Sequence, residues 1–320
     1  EVYPTYYPPR KTPKECYEQI IADLTDAEQY APDNDNSDRT KMTKTVAQAM
    51  LAKVYAEKEV QDYDKVIAYA DKVMNTTGVE LEDSYETLWG YDETAKDCMK
   101  RNTKEGILEV HWTTGSGNWE TWMYGRQLDN WDYNFTWAKW ITPSRDIIND
   151  FDKEGDEVRK NQAIVYYACT WSNYYPASNY PFMYKLRSSY NNIYWVRLAD
   201  IILMKAEAEA YKGNLAESAK LVNQIRKRAK LKELTSDKTG SKESMIEAVL
   251  HERRLELAFE GERWFDLCRN NKVEKYLNGI DNRDSGRIRQ VRQFDSNLYL
   301  LPIPQTALDQ NTNLEQNPGY

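Results

Sequence analysis

Two stretches, 41–58 and 63–75, carry apolar residues at every third or fourth position, the spacing of an amphipathic helix. Val46, Ala49, Met50, Lys53 and Val54 share one face of the first, and small Ala47, Ala49 and Ala52 let a neighbour come close. Val66, Ala70 and Val73 line the second. A matching pair is expected at 195–212 and 215–230, turning at Gly213-Asn214. Each pair fills the span of a tetratricopeptide unit. Ahead of them, Thr12-Pro13-Lys14-Glu15 supplies an N-cap, a proline at N1 and a glutamate at N3. A helix is therefore predicted to about Tyr30, with Ile20, Ile21, Leu24 and Ala27 inward.

The longest helical pattern runs from Ser244 to Asp266, with Ser244 and Glu247 as a capping box and Ile246, Val249, Leu250 and Leu257 on one face. Arg253 falls inside that apolar stripe. A buried guanidinium needs a carboxylate, so an interior ion pair is predicted. Glu207, set between Ala206 and Ala208, is the expected partner of Arg253 or Arg254. The region 78–190 is less regular. Gly106–Trp112 alternates like a strand, Thr142-Pro143 starts a helix through Ile147, Ile148 and Phe151, and 162–167 and 180–187 look extended. Gly286–Phe294 is basic and loop-like, and Leu298–Ile303 has the composition of a buried segment.

The run H-E-R-R-L-E-L-A-F-E-G-E-R-W-F-D-L, from His251, resembles the late signature helix of the SusD/RagB family of outer-membrane nutrient-binding lipoproteins. The closing L-L-P-I-P-Q-T-A-L-D-Q-N-T-N-L-E-Q-N-P-G-Y, Leu300–Tyr320, is similar to that family's C-terminus, and K-T-P-K-E-C-Y-E-Q-I-I-A-D-L-T-D-A-E, from Lys11, resembles its helix at this place in the order. The resemblance implies a mainly α fold, in which tetratricopeptide-like helix pairs form a right-handed scaffold around an inserted loop-rich region with short strands. It implies helical repeats at about 12–75 and 193–267, ligand-facing loops at 78–190 and a C-terminal tail at 286–320. It also implies that 1–320 is the C-terminal part of such a protein, preceded by a signal peptide, a lipidated cysteine and an N-terminal helical region. The implied location is the cell-surface side of the outer membrane. The implied partners are an oligosaccharide or polysaccharide and a SusC-like TonB-dependent transporter.

Composition sharpens the ligand. The chain holds 24 Tyr and 10 Trp against 6 Phe, a bias towards aromatics with a polar handle. Six of the tryptophans, Trp112, Trp119, Trp122, Trp131, Trp137 and Trp140, crowd one short stretch without helical or strand period. They are interleaved with Gly115, Gly117, Asn118, Tyr124, Arg126, Asp129, Asn130 and Tyr133. Flat rings stack on sugar C–H faces while amides, carboxylates and guanidinium meet hydroxyls. Trp119, Trp122, Tyr124, Arg126, Asn130, Trp131 and Trp137 are the candidate ligand contacts, with Trp112 and Trp140 expected to be structural. A second cluster, Trp171–Tyr175, either lines or braces the same surface.

A net charge of −8 argues against nucleic acid. Two histidines and four scattered cysteines (16, 98, 169, 268) fit neither a metal set nor a disulfide framework, so no cofactor and no metal are expected. No stretch approaches the ~20 apolar residues of a membrane span. Carboxylate pairs such as Asp150/Asp152 arise by chance among 51 acidic residues, and Gly115-Ser116-Gly117 lacks a nucleophile context. The expected function is therefore binding without catalysis. A tetratricopeptide-type interaction scaffold, or a glycoside hydrolase, are the alternatives.

Overall fold

The computed structural model describes residues 7–90, 100–112, 141–169, 172–187, 192–284 and 293–320. Helix α1 (Pro13–Tyr30) begins at the predicted capping box, with Thr12 and Glu15 each satisfying the other's backbone N–H. It lies on the surface of the scaffold: Ile21 and Leu24 reach the core, whereas Ile20 is exposed. Helices α2 (Lys44–Ala56) and α3 (Tyr63–Met74) form the first pair, capped by Thr43 and Asp62. A short helix α4 (Tyr85–Leu88) follows. Strand β1 (Gly106–Val110) runs antiparallel to β4 (Ile193–Arg197), and β2 (Ile164–Tyr167) to β3 (Tyr180–Met183). Between β1 and β2 come α5 (Arg145–Glu154) and α6 (Glu157–Ala163).

The second pair is α7 (Leu198–Lys212) and α8 (Leu215–Arg228). Every residue of α7 from Leu198 to Ala210 is buried, because α2, α3, α8 and α10 surround it. The sparing use of bulk at Ala199, Ala206, Ala208 and Ala210 permits that crowding. Gly213, at φ +86°, closes the helix in the left-handed conformation that favours glycine. After α9 (Ser236–Thr239) comes α10 (Lys242–Glu256), then α11 (Arg263–Arg269), α12 (Val273–Leu277), α13 (Ile280–Arg283) and α14 (Gln305–Gln310). The mainly helical scaffold of packed helix pairs matches the expected fold class.

Several local expectations are corrected. Residues 195–197 belong to β4, so the helix begins only at Leu198. Ser144, not Thr142, caps α5. Helix α10 begins at Lys242 under a Ser241–Ser244 capping box, and Glu247 instead pairs with Lys272 and Lys275. Nor does that helix run on to Asp266. It ends at Glu256, and the chain breaks through Phe259 at φ +66° and Gly261 at φ +89° before α11. Leu300 and Leu301 are exposed rather than buried.

Candidate functional site

The site is built on an ionic core. Five cations (Arg159, Lys185, Arg197, Arg226, Arg228) meet six carboxylates (Glu105, Glu154, Asp156, Glu252, Glu256, Glu260). Arg197 Nη1 reaches Glu256 at 2.6 Å and Glu105 at 2.8 Å, and its Nε donates to Glu260 at 2.7 Å. Arg159 Nη1 bridges Glu252 (2.7 Å) and Glu256 (3.2 Å), and Arg228 pairs with both Glu105 and Glu256. Burial alone would raise the Glu256 carboxyl, but Arg228, Arg197 and Arg159 hold it well below the usual carboxylate range. Lys185 lies over the Trp89 ring and donates to Glu260 at 2.6 Å; burial pushes its pKa down to about 8.

A second cluster joins α7, α10 and α11. Arg253 is paired with Asp200 (2.8 Å) and Asp266 (2.9 Å), and Lys53 shares Asp200. The interior ion pair expected of Arg253 is present, but Glu207 is not its partner. Glu207 takes a bidentate bond from Arg269, 2.8 Å to each oxygen, and Arg254 pairs with Asp146 and Asp150. The reason is geometric: α11 folds back after Gly261 and brings Arg269 to the Glu207 face of α7.

On this base both ends of the tryptophan-rich segment are held. At the exit of β1, buried Glu109 accepts the backbone N–H groups of Asn102 and Thr103, the Asn192 amide at 2.9 Å and His111 Nε2 at 2.7 Å. At the return, Thr142 Oγ1 donates to the Pro181 carbonyl and Tyr175 OH to the Pro143 carbonyl. The Arg145 guanidinium lies against Tyr174 and Tyr175 at 4.4 and 4.2 Å, and Tyr174 OH donates to Asp284 at 2.6 Å. The 174–175 part of the second aromatic cluster therefore braces this return; Trp171 lies outside the described residues.

The candidate contacts Trp119, Trp122, Tyr124, Arg126, Asn130, Trp131 and Trp137 also lie outside the described residues, as does Trp140. Trp112 is half-buried just beyond β1. Sequence reasoning missed Trp195, which is 60% exposed on β4, two residues from Ile193, the register partner of Val110. The signal was available: in I-Y-W-V-R, Tyr194 and Val196 turn into the core, so Trp195 turns out.

Beside the return lies a cavity of about 360 Å³, lined by Thr142, Ser144, Phe259, Arg263 and Trp264 among others. A larger groove of about 930 Å³ runs past His251, and of its carboxylates Asp150, Glu154 and Glu247 are already paired with Arg254, Arg226 and Lys272. Among the described residues no cluster of His, Cys, Asp and Glu is arranged to hold a metal ion, and no helix is long and apolar enough to cross a membrane.

Comparison with known proteins adds to this geometry. Residues 104–320, more than half of the chain, match the SusD family. SusD-like protein P2 of Formosa agariphila is 28% identical over 97% of this chain and 66% of its own length, so the chain spans just under two thirds of that relative. A SusD superfamily structure from Bacteroides vulgatus superposes with a TM-score of 0.75 at 22% identity, covering 99% of this chain and 70% of the other. A laminarin-binding SusD-like protein gives 0.74 at 24%, covering 97% and 70%.

Proposed function

From the premise that the chain belongs to the SusD family, we propose that it binds oligosaccharides without altering them. It would do so at the cell surface, lipid-anchored to the outer membrane in the whole protein, and would deliver them to a SusC-like TonB-dependent transporter. The observation that carries the ligand assignment is the placement of aromatic surface. Trp195 stands exposed on the strand paired with β1, and β1 leads directly into the stretch that holds Trp119, Trp122, Trp131 and Trp137. Sugar rings stack on such faces while Tyr124, Arg126 and Asn130 supply hydrogen bonds to hydroxyls. A likeness to a laminarin-binding protein makes neutral β-glucan one natural probe.

A capture protein must also let go, which suits a shallow, water-accessible surface with modest affinity. Buried carboxylates are plentiful, but those of the ionic core are each engaged by arginine or lysine, and Glu256 and Glu260 are held in their charged form, which suits them poorly to donating a proton. The test is calorimetry against a glycan panel that includes laminarin oligosaccharides, with reducing ends assayed alongside. Binding without new reducing ends is expected, and Trp195→Ala should weaken it about tenfold, 1.4 kcal/mol. Failure of every glycan to bind, or sustained release abolished by one Asp or Glu substitution, would overturn the proposal. Co-purification with a SusC-like transporter tests the partner.

A further inference from the structure

The 360 Å³ cavity beside Thr142 contains a cation of a different kind from its neighbours. Arg253 meets Asp200, Asp266 and, at 3.9 Å, Glu262, and Arg254 meets Asp146 and Asp150. Arg263 meets none among the described residues: its Nη1 donates to the Leu250 carbonyl at 3.0 Å, and its guanidinium lies 4.8 Å from the Tyr276 ring. Burial and the neighbouring Arg254 push its pKa down to about 10, the direction expected of a cation short of an anion. A partly buried guanidinium left in that state is costly unless something supplies the charge.

The rest of the lining suits a sugar. Ser144 accepts the helix-capping bond from Ile147, which leaves its hydroxyl proton free to donate. Trp264 and Phe259 give aromatic surface, and the volume falls in the ordinary range of small-molecule sites. Thr142 lies two residues beyond Trp140, so the cavity adjoins the return of the tryptophan-rich segment.

We propose that this cavity is an acid-sugar subsite, in which Arg263 pairs with a carboxylate or sulfate ester carried by the bound saccharide while Ser144 donates to it and Trp264 packs against the ring. The inference rests on the saccharide-binding function proposed above and adds the substrate class: a glycan bearing uronate or sulfate groups. A planar fork of N–H donors matches either oxyanion.

The test uses matched pairs on the full chain. Oligogalacturonate is compared with its methyl ester, and sulfated carrageenan oligosaccharide with its desulfated form, by calorimetry at two salt concentrations. The expected result is at least tenfold tighter binding of one acidic member than of its neutral twin, weakening with salt. Arg263→Met should erase that preference, and Arg263→Lys should keep part of it. Equal affinity for acidic and neutral members by the unaltered chain would overturn the subsite and leave saccharide binding standing. A preference that survives in Arg263→Met would also overturn it. Failure of every glycan, neutral or acidic, to bind would overturn both. The unaltered chain and the lysine variant decide the matter even if Arg263→Met fails to fold.

Discussion

Glu256 is where the ionic core is most exposed to perturbation. Changing it to Gln keeps the shape and removes one buried negative charge that three arginines share. Arg197, Arg159 and Arg228 all lose a partner. Stranding buried charge in this way costs about 3–5 kcal/mol. With an unfolding entropy of about 2.1 cal/mol/K per residue and 320 residues, the melting temperature should fall by about 4–7 °C. Calorimetry at neutral pH measures it. Adding Arg228→Met removes one stranded cation, and the double variant should recover a large part of the loss. The acid side gives an independent check. The folded carboxyl is held well below its ordinary value of 4.5, so its contribution is complete above that pH and is lost as pH falls. The gap between parent and Glu256→Gln should therefore close on acidification. A Gln variant that melts within about 1 °C of the parent, or a gap that widens in acid, would refute the argument.

Glu207→Ala should destabilise by taking from Arg269 its bidentate partner and leaving it Asp266 alone, so by less than the about 3–5 kcal/mol of a fully stranded charge, and urea unfolding will show it; Arg254→Met should have no part in that effect. Glu154, lowered to about 2 chiefly by its hydrogen bond to His251, stabilises above pH 4.5 and loses that contribution as pH falls towards 2. Glu154→Gln should accordingly destabilise at neutral pH and converge with the parent in strong acid, as followed by circular dichroism. Gly106→Ala would drive a Cβ into the Glu109 carboxylate. The bonds from Glu109 to Asn102, Thr103 and Asn192 should break, with raised amide exchange at 102–103.

The helix pairs were legible because their signal is local. The Ala47/Ala49/Ala52 face and the Gly213 stop each lie within one helix, and each matches the structure. The end of strand β4 is not legible because I-Y-W-V-R runs straight into a buried helix with no polar break between them. The partner of Glu207 was not legible at all. Choosing Arg269 over Arg253 depends on how α11 turns after Gly261, a matter of tertiary geometry. Leu300-Leu301 misled for a related reason: hydropathy states what a residue would prefer, and burial needs a surface to receive it. For the candidate site, the sequence alone named the tryptophan-rich stretch; the structure adds Trp195, whose outward turn the strand alternation carries, and Arg263, which stands out only by the bonds it makes.

The ionic core draws Glu105 from before residues 113–140 and its other members from after them. Its assembly therefore joins the base of that insert regardless of what the insert contains. The arrangement works as a socket. On the function proposed above, exchanging residues 113–140 for a segment of other aromatic spacing should change the preferred sugar, while the pairs of Glu105 with Arg197 and Arg228 keep the two flanks joined.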